Sequence, residues 1–173
     1  MTQNSAGKED EHWYVACVRS CQEKKVAESL GERAVRYYLP LRREVRRWSD
    51  RNKVVSVPLV PGVVFVRCRN SERAAILSGD PRIWRFLPDA GKVAIVRDAE
   101  MDDFRRLVEE GTGELAFHGE ALKPGDRVRV KTGPLAGLEC ELVEVDGRRC
   151  IAVRVGLLGA ATMDLDLDSL ERV

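Results

Sequence analysis

From residue 123 to the end of the chain, short β-rich runs alternate with turn signals, and this spacing leaves little choice of fold. The runs are residues 127–130, 139–145, 150–155 and 161–167. Asp146-Gly147 between two of them is a strong hairpin signal. Four or five strands in about 50 residues are typical of a small β-barrel. A barrel of this size has no room for an active-site cleft of its own.

The preceding part of the chain alternates strands with helices. Strands are predicted at 13–18, 35–39, 59–68, 82–87 and 93–96, a hairpin at 42–57 around the turn 49–52, and helices after Ser20, at 71–77 and after Asp98. This order predicts an α+β domain, an α/β sandwich whose sheet is covered on one face. The predicted organisation is a disordered tail (1–12), a first domain (13–110), a linker (111–122) and the barrel (123–173).

The first predicted helix carries two local signals. Ser20 and Glu23 have the S-x-x-E spacing of a capping box, in which the two side chains satisfy free backbone N–H groups. Val26, Ala27 and Leu30 then fall on one side of the helix, and Ala34 continues this apolar face. The pattern indicates an amphipathic helix packed on the sheet.

Charge is unevenly distributed along a chain whose net charge is only +1. Residues 36–53 hold seven basic and two acidic side chains, a local excess of +5, whereas residues 156–173 hold one basic and four acidic, a net of −3. Bulk polyelectrolyte binding is therefore not indicated. The basic excess on the predicted hairpin points instead to a local contact with phosphate.

Cysteine and histidine usage argues against metal and catalytic chemistry. The five cysteines include no C-x-x-C pair, which is typical of reduced thiols in a cytoplasmic protein. Cys17, Cys21 and His12 do not make up a four-ligand site, and packing thiols are favoured over metal ligands. His12 and His118 are the only histidines. We therefore expect a non-enzymatic protein without cofactor or metal, and no apolar stretch is long enough to span a membrane.

Two segments carry a resemblance to a known family. K-P-G-D-R-V-R-V-K-T-G-P-L-A-G-L-E, at 123–139, resembles the KOW motif of SH3-like barrels. Upstream, W-Y-V, Y-L-P, R-R-E-V-R-R-W and V-P-L-V-P-G-V-V-F-V resemble the NusG N-terminal (NGN) domain in the same order. R-I-W-R-F-L-P together with the basic hairpin is similar to specialised paralogues of the UpxY and RfaH type.

This resemblance implies a bacterial transcription elongation and antitermination factor. Its first domain would bind the clamp helices of the RNA polymerase β′ subunit and bridge to the β subunit, which suppresses pausing and termination. The factor could serve a specific operon such as a polysaccharide locus. The KOW domain would contact a ribosomal protein or Rho. We expect a monomer that does not bind membranes.

The resemblance also assigns protein contacts to positions in the first domain. The clamp-binding positions are Trp13, Tyr14, Val60, Val63 and Phe65. The family usually has aromatic residues at the two positions occupied here by Val60 and Val63. The alternative for these side chains is that they fill the core, with either Trp13 or Tyr14 at the rim. The gate-loop contact falls on Asn70, Ser71, Glu72 and Arg73, although Ser71 is more simply explained as a helix cap.

Nucleic-acid contacts are predicted on two segments. The resemblance places the displaced non-template DNA strand against the first strand-to-helix turn, at Arg19, Ser20, Gln22, Lys24 and Lys25. The hairpin offers Arg42, Arg43, Arg46 and Arg47, with Trp48 as a ring for stacking. The alternatives are an exposed helix start and a charged edge that resists aggregation.

The resemblance places the contact of the barrel with its partner at Leu135 and Leu158, and the alternative is that at least one of them belongs to the barrel core. Cys140 stands where the family commonly has glycine. A rival class is an RNA-binding, ribosome-associated protein or a transcription–translation adaptor. An RNA-binding barrel should carry a basic face, and the C-terminal end of this chain is acidic instead.

Overall fold

The computed structural model describes residues 9–119 and 122–173. The N-terminal part contains β1 (Glu11–Val18), α1 (Glu23–Glu32), β2 (Arg36–Tyr38), β3 (Leu41–Arg47), β4 (Asn52–Pro58), β5 (Val63–Arg69), a 3₁₀ helix (Asn70–Glu72), α2 (Arg73–Gly79), β6 (Ile83–Phe86), β7 (Pro88–Asp89), β8 (Lys92–Val93) and β9 (Ile95–Val96). The C-terminal part contains α3 (Asp98–Glu110), β10 (Leu115–His118), β11 (Asp126–Val130), β12 (Glu139–Val145), β13 (Arg148–Val155), β14 (Gly159–Met163), a second 3₁₀ helix (Leu167–Ser169) and β15 (Leu170–Arg172). The fold is mixed α+β followed by an all-β segment, which confirms the predicted fold class.

Inter-residue contacts divide the chain into two compact units. Among the described residues, the first unit holds 9–38 and 62–95, and the second holds 39–61, 96–119 and 122–173. The domain boundaries derived from the sequence stay a prediction. Within them, the segment interpreted as a linker contains β10, and β1 begins at Glu11, inside the segment interpreted as a disordered tail. Residues 1–8 of that tail lie outside the described residues.

The first unit is built on an antiparallel sheet with the strand order β2-β5-β1-β6. Strand β5 lies inside this sheet, between β2 and β1. Its residues 63–66 are all buried, so that side chains on both faces of the strand are covered. This explains why the strand reads as a continuous apolar run rather than an alternating one. Helices α1 and α2 pack against the sheet strands of this unit.

Helix α1 begins at Glu23, two residues later than the capping box requires. Gln22 occupies the N-cap position and makes no side-chain hydrogen bond there. The capping-box prediction is wrong, because the Glu23 carboxylate is buried and accepts a hydrogen bond from the backbone N–H of Gly62 instead, at 2.9 Å. The predicted apolar face is present in Val26, Ala27 and Leu30, but Ala34 lies beyond the helix end and is exposed, with φ +56°.

The second unit contains the hairpin, helix α3 and the barrel. Met101, Phe104 and Leu107 of α3 are fully buried, and the helix contacts β13 and β14. Arg106 donates from Nη2 to the carbonyl of Ala136, at 2.7 Å. Because the apolar face and an arginine of α3 are both engaged by the barrel, the helix is an integral part of this unit.

The barrel sheet has the strand order β10-β14-β13-β12-β11-β15. All four predicted strands are present, and β10 and β15 are the strands that sequence patterns missed. The backbone approaches itself closely at Gly125, where a Cβ atom would overlap the carbonyl of Leu142. A glycine is therefore required at the entry to β11.

No helix among the described residues is long and apolar enough to cross a membrane.

Candidate functional site

Three of the predicted clamp-binding residues lie on one face of the first sheet. Val15 pairs with Phe65 and Cys17 with Val63 in the antiparallel register of β1 and β5. Paired residues of neighbouring strands share a face, and so do residues two apart in one strand. Trp13, Val63 and Phe65 therefore form one row of apolar side chains.

Tyr14 points to the opposite face. It pairs with Val66, its ring meets the ring of Phe86 edge-on with centroids 6.2 Å apart, and the guanidinium of Arg73 lies 5.2 Å from its centroid. Burial raises the pKa of the Tyr14 hydroxyl above its ordinary value. Trp13 and Tyr14 thus cannot contact one flat partner surface together.

All five predicted clamp-binding side chains are buried in this structure. They are Trp13, Tyr14, Val60, Val63 and Phe65, and the side chain of Phe65 is completely inaccessible. In this conformation the five side chains fill the core, which is the alternative that the sequence analysis gave for them. A partner could reach them only after other parts of the chain had moved, so their role in binding stays a prediction.

The turn before β5 has a structural reason for its glycine. Gly62 has φ +77°, a region that residues with a Cβ atom rarely adopt. Its carbonyl accepts from the N–H of Val18 and its own N–H donates to Glu23, both at 2.9 Å. The glycine therefore ties the end of β1, the start of α1 and the start of β5 together.

The turn from β1 into α1 presents most of its predicted DNA-contact residues to solvent. Arg19, Ser20, Lys24 and Lys25 are exposed and Gln22 is half-buried. Cys21, between them, has φ +61° and is the one exposed thiol among the five cysteines. The arrangement provides three cations on one short segment.

The basic hairpin is a two-stranded ribbon with exposed residues on both faces. The predicted DNA-contact residues Arg42, Arg43, Arg46 and Arg47 are all exposed. Val45 and Val54 pair with each other across the ribbon and remain 63% and 61% exposed. The ammonium of Lys53 lies 5.3 Å from the centroid of the exposed Trp48 ring. Cations and an accessible ring are thus side by side at the tip.

Most of the hairpin arginines are available to a partner. Arg46 lies 3.7 Å from the carboxylate of Glu44. Within the described part of the chain, Arg42, Arg43 and Arg47 form no ion pair. Three guanidinium groups therefore have no internal anion to displace before they bind phosphate.

The predicted gate-loop residues form the 3₁₀ helix and the start of α2. Ser71 does not cap α2, which begins two residues later, and the prediction of a cap is wrong. Its N–H and hydroxyl instead donate to the carboxylate of Glu9, at 2.9 and 2.6 Å. These bonds hold the pKa of Glu9 below its ordinary value.

The neighbours of Ser71 are also engaged. Glu72 accepts from the N–H of Arg69 at 2.8 Å, and Arg73 donates from Nε to the side chain of Asn70 at 2.9 Å. Asn70 and Glu72 are exposed, whereas Arg73 is half-buried. The segment is held by these hydrogen bonds, and its contact with a gate loop stays a prediction.

The barrel presents a different leucine from the two predicted ones. Leu135 is buried in the barrel core, and Leu158 is half-buried. Leu157, in the turn between β13 and β14, is 62% exposed. Its neighbour Gly156 has a positive φ of +50°, and this turn geometry orients the leucine. Within a turn, the sequence pattern does not show which of the adjacent residues Leu157 and Leu158 is exposed.

Both histidines lie in β-strands. His12 lies in β1, and His118 lies in β10 with its Nε2 3.0 Å from the hydroxyl of Thr162. In residues 9–119 and 122–173, no group of three or more histidine, cysteine or acidic side chains is arranged to hold a metal ion. Burial raises the pKa of Cys140 to about 12, so this thiol stays protonated.

The sequence interpretation missed exposed aromatic residues, of which Trp84 is more accessible than Tyr37. Trp84 on β6 was assigned only to a strand, yet it is 54% exposed, and the guanidinium of Arg85 lies 4.3 Å from its ring centroid. An adjacent Trp-Arg pair in a sequence with few aromatic residues is the signal that could have drawn attention to it.

Comparisons with known proteins agree in both halves of the chain. The family described as "Transcription termination factor nusG" matches residues 11–105, more than half of the chain, and the KOW motif matches 124–155. A protein of Lactococcus lactis named "Transcription termination/antitermination protein NusG" is 27% identical over 187 aligned positions, covering 100% of this chain and 99% of the relative. The Haemophilus influenzae protein of the same name is 28% identical, with 93% and 94% covered.

A solved structure described as "Domain interaction in Thermotoga maritima NusG" shares the fold. It aligns with a TM-score of 0.54 and 21% identity, covering 95% of this chain and 98% of that one. The family match, the KOW motif and relatives spanning the full length all point the same way, and this chain therefore belongs to the NusG family.

Proposed function

We propose that this protein is a transcription termination/antitermination factor that binds RNA polymerase and modulates elongation. The observation that carries the proposal is the family match over residues 11–105 followed by the KOW motif at 124–155, in a chain that covers nearly the whole length of relatives named as such factors. The finer assignment to the UpxY or RfaH type, serving one operon, stays a prediction.

The proposed mechanism is a bridge across the polymerase. Binding energy from the clamp helices of β′ on one side and the β gate loop on the other would favour the closed clamp over the open, paused form. The apolar row of Trp13, Val63 and Phe65, on one face of the sheet, is the proposed clamp contact. Tyr14 lies on the opposite face and is not part of it, and Val60 stays a separate prediction. The hydrogen-bonded segment 70–73 is the proposed gate-loop contact.

The exposed cations support a location beside nucleic acid. Arg42, Arg43 and Arg47 have no ion pair in the described residues. Arg19 is exposed on the β1–α1 turn, and Lys24 and Lys25 are exposed in the first turn of α1. Since each phosphate contact releases condensed counterions, several exposed cations are an efficient means of holding a strand. We propose the non-template DNA strand as this partner.

The barrel is proposed to contact a ribosomal protein or Rho through an apolar surface. Leu157 is the accessible residue for this role, in place of the buried Leu135 and with Leu158 beside it. A side chain that is exposed on a tight turn can enter a partner pocket without unfolding the barrel. Leu157→Asp should therefore remove the contact and leave the barrel folded.

The rival function, an RNA-binding or ribosome-associated protein, is less well supported by the charges. Residues 122–173 hold eight basic and nine acidic side chains, a net of −1. Several barrel arginines are already paired, for example Arg154 with Glu141 at 2.7 Å and Arg129 with Glu139 at 2.7 Å. A barrel that bound RNA by itself would leave such cations free.

The test is a transcription assay with purified core polymerase. We expect the protein to co-purify with core polymerase and to change readthrough at a terminator. Replacing Arg42, Arg43 and Arg47 by glutamate should reduce the effect on readthrough. Arg148→Glu with Arg149→Glu, at two exposed barrel arginines, is the charge-reversal control, and it is matched in charge to the double variant Arg42→Glu with Arg43→Glu. If the unaltered protein neither binds polymerase nor changes readthrough, the proposal is wrong.

A further inference from the structure

Trp84 occupies an unusual position on the edge strand β6. Cys17 pairs with Arg85 and Val18 pairs with Ile83, so that Trp84 falls at an irregularity in the ladder and has no partner across it. Such β-bulges bend a strand and redirect a side chain. Here the redirected side chain is a large ring with 54% of its surface accessible.

A cation lies against the exposed ring of Trp84. The guanidinium carbon of Arg85 lies 4.3 Å from the centroid of Trp84, well within the range of a cation–π contact. Arg85 is itself exposed. The guanidinium covers one face of the ring, so a base would stack on the other face, with the positive charge of Arg85 close by for its phosphate.

A second exposed cation, Arg19, is hydrogen-bonded to the backbone of the residues that precede β6. The N–H of Arg19 donates to the carbonyl of Arg82 at 2.9 Å, and its Nε donates to the carbonyl of Pro81 at 3.3 Å. These bonds join the β1–α1 turn to the segment that leads into β6. Arg19 therefore stands beside the strand that carries Trp84, although the two residues are distant in sequence.

The carboxylate of Asp80, two residues before Arg82, does not cancel these charges. Asp80 is buried and is bound by its near neighbour Arg82, with Oδ1 2.8 Å from Nε. That carboxylate and guanidinium neutralise each other. Arg19 and Arg85 remain as the cations of the surface around Trp84.

We propose that Trp84, Arg85 and Arg19 form a platform that stacks one unpaired base of single-stranded DNA and holds its flanking phosphates. Two exposed guanidinium groups around an indole favour a polyanion with free base faces over an apolar peptide or a duplex, whose bases are stacked on each other. The identity of the strand as the displaced non-template DNA rests on the proposed function. The stacking itself does not depend on polymerase.

The test is fluorescence anisotropy of a short, labelled, mixed-sequence DNA strand at low salt. Trp84→Ala should weaken binding by about 5- to 150-fold, the loss expected when one base loses its aromatic partner. Trp84→Phe keeps a ring and should retain most of the affinity. Tyr37→Ala is the matched control, because Tyr37 is an exposed aromatic residue on β2, the strand at the opposite end of the sheet order.

The opposite results are equally definite. The platform is refuted if the unaltered protein does not bind the strand, if Trp84→Ala binds as tightly as the unaltered protein, or if the substitution weakens binding of duplex DNA equally. Tighter binding of an RNA strand of the same sequence would refute the choice of DNA.

A second measurement separates this inference from the proposed function. Trp84→Ala should still co-purify with core polymerase, since the proposed clamp contact lies elsewhere. If the unaltered protein ignores polymerase while Trp84→Ala loses DNA binding, the platform stands and the proposed function falls. If the unaltered protein binds polymerase and Trp84→Ala binds DNA as tightly as the unaltered protein, the proposed function stands and the platform falls.

Discussion

Asp80 is a buried carboxylate at the end of α2, and replacing it by asparagine tests what holds the start of β6 in place. Its side chain is 1% exposed. It accepts hydrogen bonds from the backbone N–H of Arg82 at 3.0 Å and from Nε and Nη2 of the same residue at 2.8 and 2.9 Å. The Arg82 guanidinium therefore holds the pKa of Asp80 below its ordinary value.

The size of the effect follows from this geometry. A hydrogen bond to a charged group contributes about 1.5–3 kcal/mol. The Arg82 side chain is 32% exposed, so water screens part of the interaction. An asparagine side chain in place of the carboxylate would keep the backbone hydrogen bond and lose the ionic ones. We expect Asp80→Asn to lower the free energy of unfolding by roughly 2 kcal/mol at neutral pH.

The pH dependence identifies the ionised pair as the cause. A carboxyl group whose pKa is lower in the folded protein stabilises the fold above its unfolded pKa of about 3.9. This contribution is lost as the pH falls through the folded pKa. The difference between the unaltered protein and Asp80→Asn should therefore be full at about pH 7 and shrink below about pH 4.

Urea unfolding followed by tryptophan fluorescence provides the measurement, because Trp13 is buried in the same unit. Asp89→Asn is the matched control, since Asp89 is exposed on β7 and the same chemical change there should alter stability by less than about 0.5 kcal/mol. A cost for Asp80→Asn that is the same at every pH would show that packing, and not the ion pair, holds β6.

Three further changes have direct readouts. The Cys21 thiol should react with a thiol reagent in the native protein before the four buried ones, of which Cys140 has its pKa raised to about 12 by burial; simultaneous reaction of all five would contradict the structure. Arg47→Ala should reduce the slope of log affinity for single-stranded DNA against log salt by about 0.7, and an unchanged slope would exclude a phosphate contact. Gly125→Ala should lower the free energy of unfolding by about 1–3 kcal/mol in thermal denaturation, since the added methyl overlaps the Leu142 carbonyl, and a neutral result would contradict the close approach.

Sequence patterns predict well the elements that depend on neighbours along the chain. The polar turn and two arms of the segment 42–57 predict a hairpin, and β3 and β4 confirm it with a seven-residue register from Leu41 to Arg47. Apolar spacing likewise predicts helix α3 between Asp98 and Gly111, and the helix spans Asp98–Glu110. Local turn chemistry and helical periodicity suffice in such cases.

The failures occur where a side chain binds a distant part of the chain. Glu23 is 39 residues from Gly62, to which it is hydrogen-bonded. Ser71 is 62 residues from Glu9, its acceptor. Short motifs predict both serine caps, and in both cases a side chain of the motif serves a tertiary contact. A local motif indicates which hydrogen bonds a side chain is able to make. It does not indicate which distant partner the fold brings close to that side chain.

Exposure is the property of the candidate site that the sequence could not supply. Trp13 and Trp84 both sit in predicted strands, yet one is buried and the other is half exposed because a bulge redirects it. Alternation assigns side chains to faces, but it does not say which face is covered. For Phe65 the sequence gives interface and core equal weight, and only the fold shows the side chain to be inaccessible.

This difference in exposure decides how each assignment can be tested. A substitution at Phe65 removes core packing, and large-to-small changes of that kind cost about 3–5 kcal/mol, so a loss of polymerase binding would not separate function from unfolding. Changes at exposed side chains usually alter stability by less than about 0.5 kcal/mol. Trp84, Arg47 and Leu157 are exposed, and one reports on base stacking, one on phosphate contact and one on the barrel partner. A loss of function at any of the three can therefore be attributed to the missing contact itself, so these residues should be tested before the buried row.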